Sequence, residues 1–169
     1  WSSDVCSSDL GFASTTGAAL EWMKKSLELF DDFAVFEETI SSIPTNGGVY
    51  FFPALTGYIS PPYRNPTSRA SFMGVSASTT KDHMMRAVAE SIPYAINAIF
   101  EDISENMGVE IKDLKISGGV TRCGLLNQLL SDLIGQRVVR SSSVEASSLG
   151  AAQLAGLYMN VFTMEQIYK

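Results

Sequence analysis

Histidine occurs once in these 169 residues, at His83, and cysteine twice, at Cys6 and Cys123. Thiols and imidazoles so few and so far apart make neither a zinc spacing nor a disulfide framework, and no metal ligand is assigned. No stretch approaches the roughly 18 consecutive apolar residues of a transmembrane helix, so no membrane partner is expected. Cations are scarce as well: 12 Lys and Arg stand against 18 Asp and Glu, a net charge of −6. Phosphate neutralisation needs clustered Lys and Arg, so nucleic acid is not an expected partner. What the chain does have is 46% hydrophobic content, enough for one globular domain with a substantial core.

Residues 1–10, WSSDVCSSDL, back-translate without a gap as TGG AGT TCA GAC GTG TGC TCT TCC GAT CT, which resembles the end of a sequencing-library adapter read in frame. They are set aside as a non-native segment, as a tag would be. Without Asp4 and Asp9 the net charge moves from −6 to −4, and Cys123 is left as the single cysteine. The domain then comprises residues 11–169, and the gene is expected to extend upstream, because nothing marks Gly11 as a start.

The organising stretch is Asp113 to Arg140. Leu114 to Ser117 reads as a short strand, Gly118-Gly119 as a turn, and Leu125, Leu126, Leu129, Leu130, Leu133 and Ile134 recur at helical spacing. Gly135 ends that helix, and Arg137 to Arg140 returns as a second strand. The unit is βαβ, so its strands are parallel and its crossover right-handed. A glycine turn at the carboxyl end of a strand and the amino end of a helix offers unsatisfied N–H groups, a favourable dipole and close backbone approach. It suits an anion or a polar ligand edge, and equally a bare tight connection.

Upstream, a helix is expected from Gly17 to about Phe30, with Leu20, Met23, Leu27 and Phe30 on one face and Trp22 beside it. Either Asp31 or Asp32 can cap a short helix from Phe33 to Ile43. Val49 to Phe52 reads as a strand covered on both faces, and Arg69 to Gly74 as a strand ending in glycine. Between them Pro53 to Pro66 is a proline-rich loop, either functional or a rigid connection. Thr79 is expected to cap the longest helix, with Asp82 in its first turn and Met85, Val88, Ile92, Ile96, Ile99 and Ile103 as one buried stripe. Pro93 inside it predicts a kink, and His83, without a partner in sequence, reads as structural or solvated. Ala146 to Met159 is a helix whose Ala151, Ala152, Ala155 and Gly156 suit close packing on a sheet or another domain, or ordinary helix packing. Thr163 to Tyr168 starts a last short helix.

Several stretches match one family in order: Gly17-Ala18-Ala19-Leu20-Glu21-Trp22, Gly48 to Gly57, Pro62 to Pro66, Ala70 to Gly74 with His83 to Glu90, Gly118-Gly119, and Ser148 to Gly156. On these the chain resembles the C-terminal part of the FGGY carbohydrate kinases, in the glycerol kinase branch and a paralogue branch beside it. The resemblance implies an α/β fold: a partial actin-like (ribonuclease H-like) ATPase domain, the C-terminal half of a two-domain kinase. It implies ATP-dependent transfer of a phosphoryl group to a hydroxyl of a small polyol or sugar, with Mg²⁺ held mainly by the phosphates and an aspartate base. It also implies a cytoplasmic protein with ATP/ADP and, through the other domain, the polyol as partners, and it leaves a homo-oligomer open.

Carried over by position, the resemblance implies that Gly17, Glu21, Gly118, Gly119 and Cys123 contact the nucleotide. Glu21 stands where glutamine is usual, Cys123 where asparagine is usual, and Ser117 where aspartate commonly precedes the glycine pair. A carboxylate cannot donate as an amide does, and a thiol is a weak partner. The family's catalytic aspartate and phosphate-binding hairpins lie upstream of the matching region, so no catalytic residue is assigned and the chain alone is expected to be inactive. The alternatives are a kinase for a pentulose or other sugar, and a non-catalytic nucleotide-binding relative.

Overall fold

The computed structural model describes residues 13, 15–59, 65–107, 113–142 and 145–167. The segment 1–10, with the loop residues Pro61 to Arg64 and the terminal Tyr168, lies outside them. In chain order the elements are α1 (Gly17–Lys25), α2 (Phe33–Ser42), β1 (Tyr50–Phe52), β2 (Ser71–Met73), α3 (Lys81–Met107) and β3 (Asp113–Ile116). A 3₁₀ turn (Gly119–Arg122), α4 (Gly124–Ile134), β4 (Arg137–Arg140), α5 (Ala146–Tyr158) and α6 (Met164–Ile167) follow.

α3 is the element on which α1, α2, β1 and α4 all pack. Its stripe is buried only in the first half: Met85, Val88 and Ile92 are inside, whereas Ile96, Ile99 and Ile103 are half-buried. The expected continuous stripe is thus only partly buried beyond Ile92, where Ile96 still packs against the core and lines a cleft shared with Leu126 and Leu130. The helix runs on through Pro93, which is fully buried. Its cap is Thr80, not Thr79: Thr80 Oγ1 accepts from His83 N–H at 3.3 Å, and His83 Nδ1 accepts from Thr80 N–H at 3.2 Å. This reciprocal pair is a capping box with histidine in the usual glutamate position, and it gives His83 its structural role. Thr79 Oγ1 instead accepts from Ser76 N–H at 2.9 Å.

α1 ends at Lys25, five residues before the expected Phe30. Ser26 and Leu27 N–H both donate to Trp22 O, Glu28 takes a positive φ of 52°, and Leu29 N–H closes on Met23 O. The left-handed residue turns the chain so that Phe30 reaches the core outside the helix, 4.6 Å from the Phe36 ring. Asp32 is the α2 cap, its Oδ1 accepting from Ala34 N–H at 2.6 Å. Trp22 stacks on Phe51 at 6.1 Å, joining α1 to β1.

β1 and β2 pair antiparallel, Phe51 opposite Phe72. Tyr50 is 50% exposed, so β1 is not covered on both faces as its apolar run suggested. An antiparallel ribbon can rest one face on the core and leave the other in water. β3 and β4 pair parallel from Asp113↔Arg137 to Ile116↔Arg140, with α4 as the crossover and Gly135 in the left-handed conformation at its end, as expected. α5 does not lie on this sheet: of its residues only Gly156 is buried, and a Cβ there would overlap the Phe162 ring. Its large apolar side chains Leu149, Leu154 and Tyr158 stand exposed. No helix among the described residues is long and apolar enough to cross a membrane.

Candidate nucleotide-binding cleft

The site is built on the glycine turn that follows β3. Gly118 has φ 106° and ψ 169°, a backbone region that side chains with a Cβ scarcely enter. Its carbonyl accepts from Thr121 N–H at 3.2 Å and from Thr121 Oγ1 at 2.7 Å, which winds the chain into the 3₁₀ turn. Asn127 Nδ2 donates to Thr121 O at 2.8 Å, tying that turn to the first turn of α4.

The amino end of α4 is served from elsewhere. Gly124 N–H donates to Glu37 Oε1 at 2.7 Å, so a carboxylate of α2 meets the positive end of the α4 dipole. Cys123, the residue before, is 8% exposed. Burial pushes its thiol up, the Glu37 carboxylate adds to this, and the amides of Leu126 and Leu125 oppose it. The thiol therefore stays protonated at neutral pH and is a weak hydrogen-bonding group.

Two clefts open beside the turn. One, of about 470 Å³, lies between α1, α2 and the turn, and Gly17, Glu21, Phe33, Glu37, Gly119 and Cys123 are among its lining residues. The other, of about 480 Å³, lies between α3 and the β3–α4 unit, walled by Ile92, Ile96, Leu126 and Leu130 and reaching Ser117 and Gly118. Gly17 and Gly119 line both. The structure thus brings Gly17, Glu21, Gly119 and Cys123 into a single cleft, with Gly118 in the adjoining one. Glu21 is half exposed there and pairs with Lys25 at 2.9 Å, a surface i,i+4 contact of small energy.

Phe33, Phe36, Glu37, Arg122 and Glu145 line the same cleft and were not singled out in the sequence. Arg122 adjoins the glycine turn, and that adjacency was the available signal. Glu37 gave none, since its partner Gly124 lies 87 residues away. Among the described residues no group of three His, Cys, Asp or Glu side chains could hold a metal ion.

The model of the FGGY family of carbohydrate kinases, C-terminal domain, matches residues 10–159. A glycerol kinase of Halothermothrix orenii is 38% identical over 154 residues, covering 90% of this chain and 31% of that protein. Glycerol kinase 2 of Saccharolobus solfataricus is 40% identical over 145 residues, 86% of this chain and 29% of that one. Among solved structures, the Plasmodium falciparum glycerol kinase with ADP superposes with a TM-score of 0.72 at 33% identity, over 87% of this chain and 29% of that chain. A xylulose kinase of Lactobacillus acidophilus, 21% identical, shares the fold with a TM-score of 0.74 over 90% of this chain and 31% of its own.

These likenesses define the fold as that of the actin-like ATPase domains of carbohydrate kinases. The chain belongs to the FGGY family of carbohydrate kinases, matching its C-terminal domain. It spans about a third of the length of the curated relatives that it matches.

Proposed function

We propose that this chain is the nucleotide-side domain of an ATP-dependent, glycerol kinase-like enzyme that phosphorylates a hydroxyl of a small polyol or sugar. The observation that carries the reading is the convergence of Gly17 and Glu21 from α1 with Gly119 and Cys123 from the turn on one cleft. Gly119 has no atom within 4 Å of where a Cβ would stand, so a ligand can approach the backbone there. Gly118 extends the same floor into the second cleft. The relative solved with ADP supports a nucleotide as the occupant.

In this reading the chain's own work is to hold the base and ribose beside α1 and to present turn N–H groups to the polyphosphate, while α2, fixed by the Glu37 contact, walls the cleft from water. Bound ATP would supply the transferable phosphoryl group, with Mg²⁺ neutralising its charge. The base that accepts the hydroxyl proton and the polyol contacts belong to a further domain, so the chain alone is inactive. The protein is cytoplasmic in this reading, and residues 1–10 are not part of the domain. A homo-oligomer remains compatible with it.

Titration calorimetry of ADP into the chain and its Gly119→Ala variant tests the assignment. The variant is expected to fold normally and to bind about tenfold more weakly, because the added methyl occupies the ligand's approach to the turn. Equal affinity would remove Gly119 from the site, and glycerol phosphorylation by the chain alone would refute the inactivity.

A further inference from the structure

We propose that the cleft beside α1 takes guanine nucleotides at least as tightly as adenine nucleotides, with Glu21 and Arg122 reading the base. The inference rests on the nucleotide reading of that cleft and concerns which base it accepts. Among the described residues, the polar side chains lining it are the carboxylates Glu21, Glu37 and Glu145, the Arg122 guanidinium and the Cys123 thiol, with no side-chain amide among them. Glu37 already accepts from Gly124 N–H, and Cys123 is buried and protonated. Glu145 stands at the start of α5, outside the α1, α2 and turn walls, so Glu21 and Arg122 are the groups on those walls able to address a base edge.

Their chemistry sorts the purines. Adenine presents a donor, N6–H₂, flanked by the acceptors N1 and N7, a pattern that a side-chain amide complements and a carboxylate does not. Guanine presents two adjacent donors, N1–H and N2–H₂, which fit the two oxygens of one carboxylate, and two adjacent acceptors, O6 and N7, which fit a guanidinium fork. Adenine N1 facing Glu21 would set lone pairs against a negative charge. The Glu21–Lys25 pair that now occupies one carboxylate oxygen has side-chain exposures of 46% and 74%, so releasing it sacrifices little. Arg122 is exposed and makes no ion pair among the described residues. Phe33, 40% exposed, supplies aromatic surface in the same cleft for a base face, whereas Phe36 is buried against Phe30.

Calorimetric titrations of GDP and of ADP into the 169-residue chain test this. GDP is expected to bind as tightly as ADP or more tightly. Glu21→Gln and, separately, Arg122→Gln should each move the GDP to ADP affinity ratio about tenfold toward ADP, the size of one lost bidentate contact. Both positions are solvent-accessible, and circular dichroism checks that the variants keep their fold. ADP binding more tightly than GDP, or a ratio unmoved in Glu21→Gln, overturns the proposal while leaving the nucleotide site standing. If the wild-type chain binds neither nucleotide, the site assignment falls and this inference with it.

Discussion

Replacing Glu90 by alanine should destabilise the domain by about 3–5 kcal/mol, the effect of stranding a buried charge. Glu90 is 6% exposed on α3. Its Oε1 accepts from Arg86 Nε at 2.7 Å and its Oε2 from Asn46 Nδ2 at 2.9 Å. Arg86 in turn donates to the carbonyls of Ile40 and Ile43 where α2 ends, so one carboxylate fixes the cation that anchors α2 to α3. Truncation leaves the guanidinium, only 13% exposed, without its counter-charge and Asn46 without its acceptor. Glu90→Gln keeps an oxygen for Asn46 and loses the charge, so it should cost about 1.5–3 kcal/mol.

Urea unfolding followed through Trp22, which stacks on Phe51 in the core, measures both variants. With a slope of about 2 kcal/mol per molar urea, Glu90→Ala should lower the midpoint by about 2 M. Hydrogen exchange of Phe33 to Ser42 should accelerate with it, since α2 loses its anchor. A Glu90→Ala protein within about 1 kcal/mol of wild type would refute the argument, because the charge would then be solvated despite its burial.

Two further outcomes follow from the site. Gly118→Ala must force a Cβ into a region at φ 106° that glycine nearly monopolises, and should cost about 1–3 kcal/mol in the same urea assay; an unchanged midpoint would show that the turn relaxes freely. The Cys123 thiol, raised by burial, holds its proton more tightly folded than unfolded. Its contribution is therefore fully present below the unfolded pKa of about 8.5 and is lost as pH rises through the higher folded value. Cys123→Ala should flatten the alkaline decline of stability measured by pH-stepped denaturation, and parallel curves for the two proteins would contradict the burial argument.

Much of the fold was legible in advance because its signals are local. The leucine spacing of α4, Gly135 at its end and the flanking strands specified a parallel βαβ unit, and the structure has it within a residue or two. The glycine turn was legible too, since Gly118 requires a conformation that composition alone points to. Misreadings came where a backbone turn or a side-chain contact a few residues away, which helical spacing does not show, decided the outcome. α1 stops at Lys25 because Glu28 turns left-handed and Phe30 packs against Phe36. Thr80 rather than Thr79 caps α3 because His83 answers it.

For the cleft, the sequence by itself determined the residue types and the turn, and the family match extends over residues 10–159. Tertiary structure alone decided that Glu37 serves the amino end of α4, that Phe33 and Arg122 share a cleft with Glu21, and that the Cys123 thiol is buried. The reason is physical. Helix periodicity and turn chemistry act over a few residues, whereas a cleft wall is set by which faces of α1, α2 and α4 the core brings together, and no local pattern encodes that.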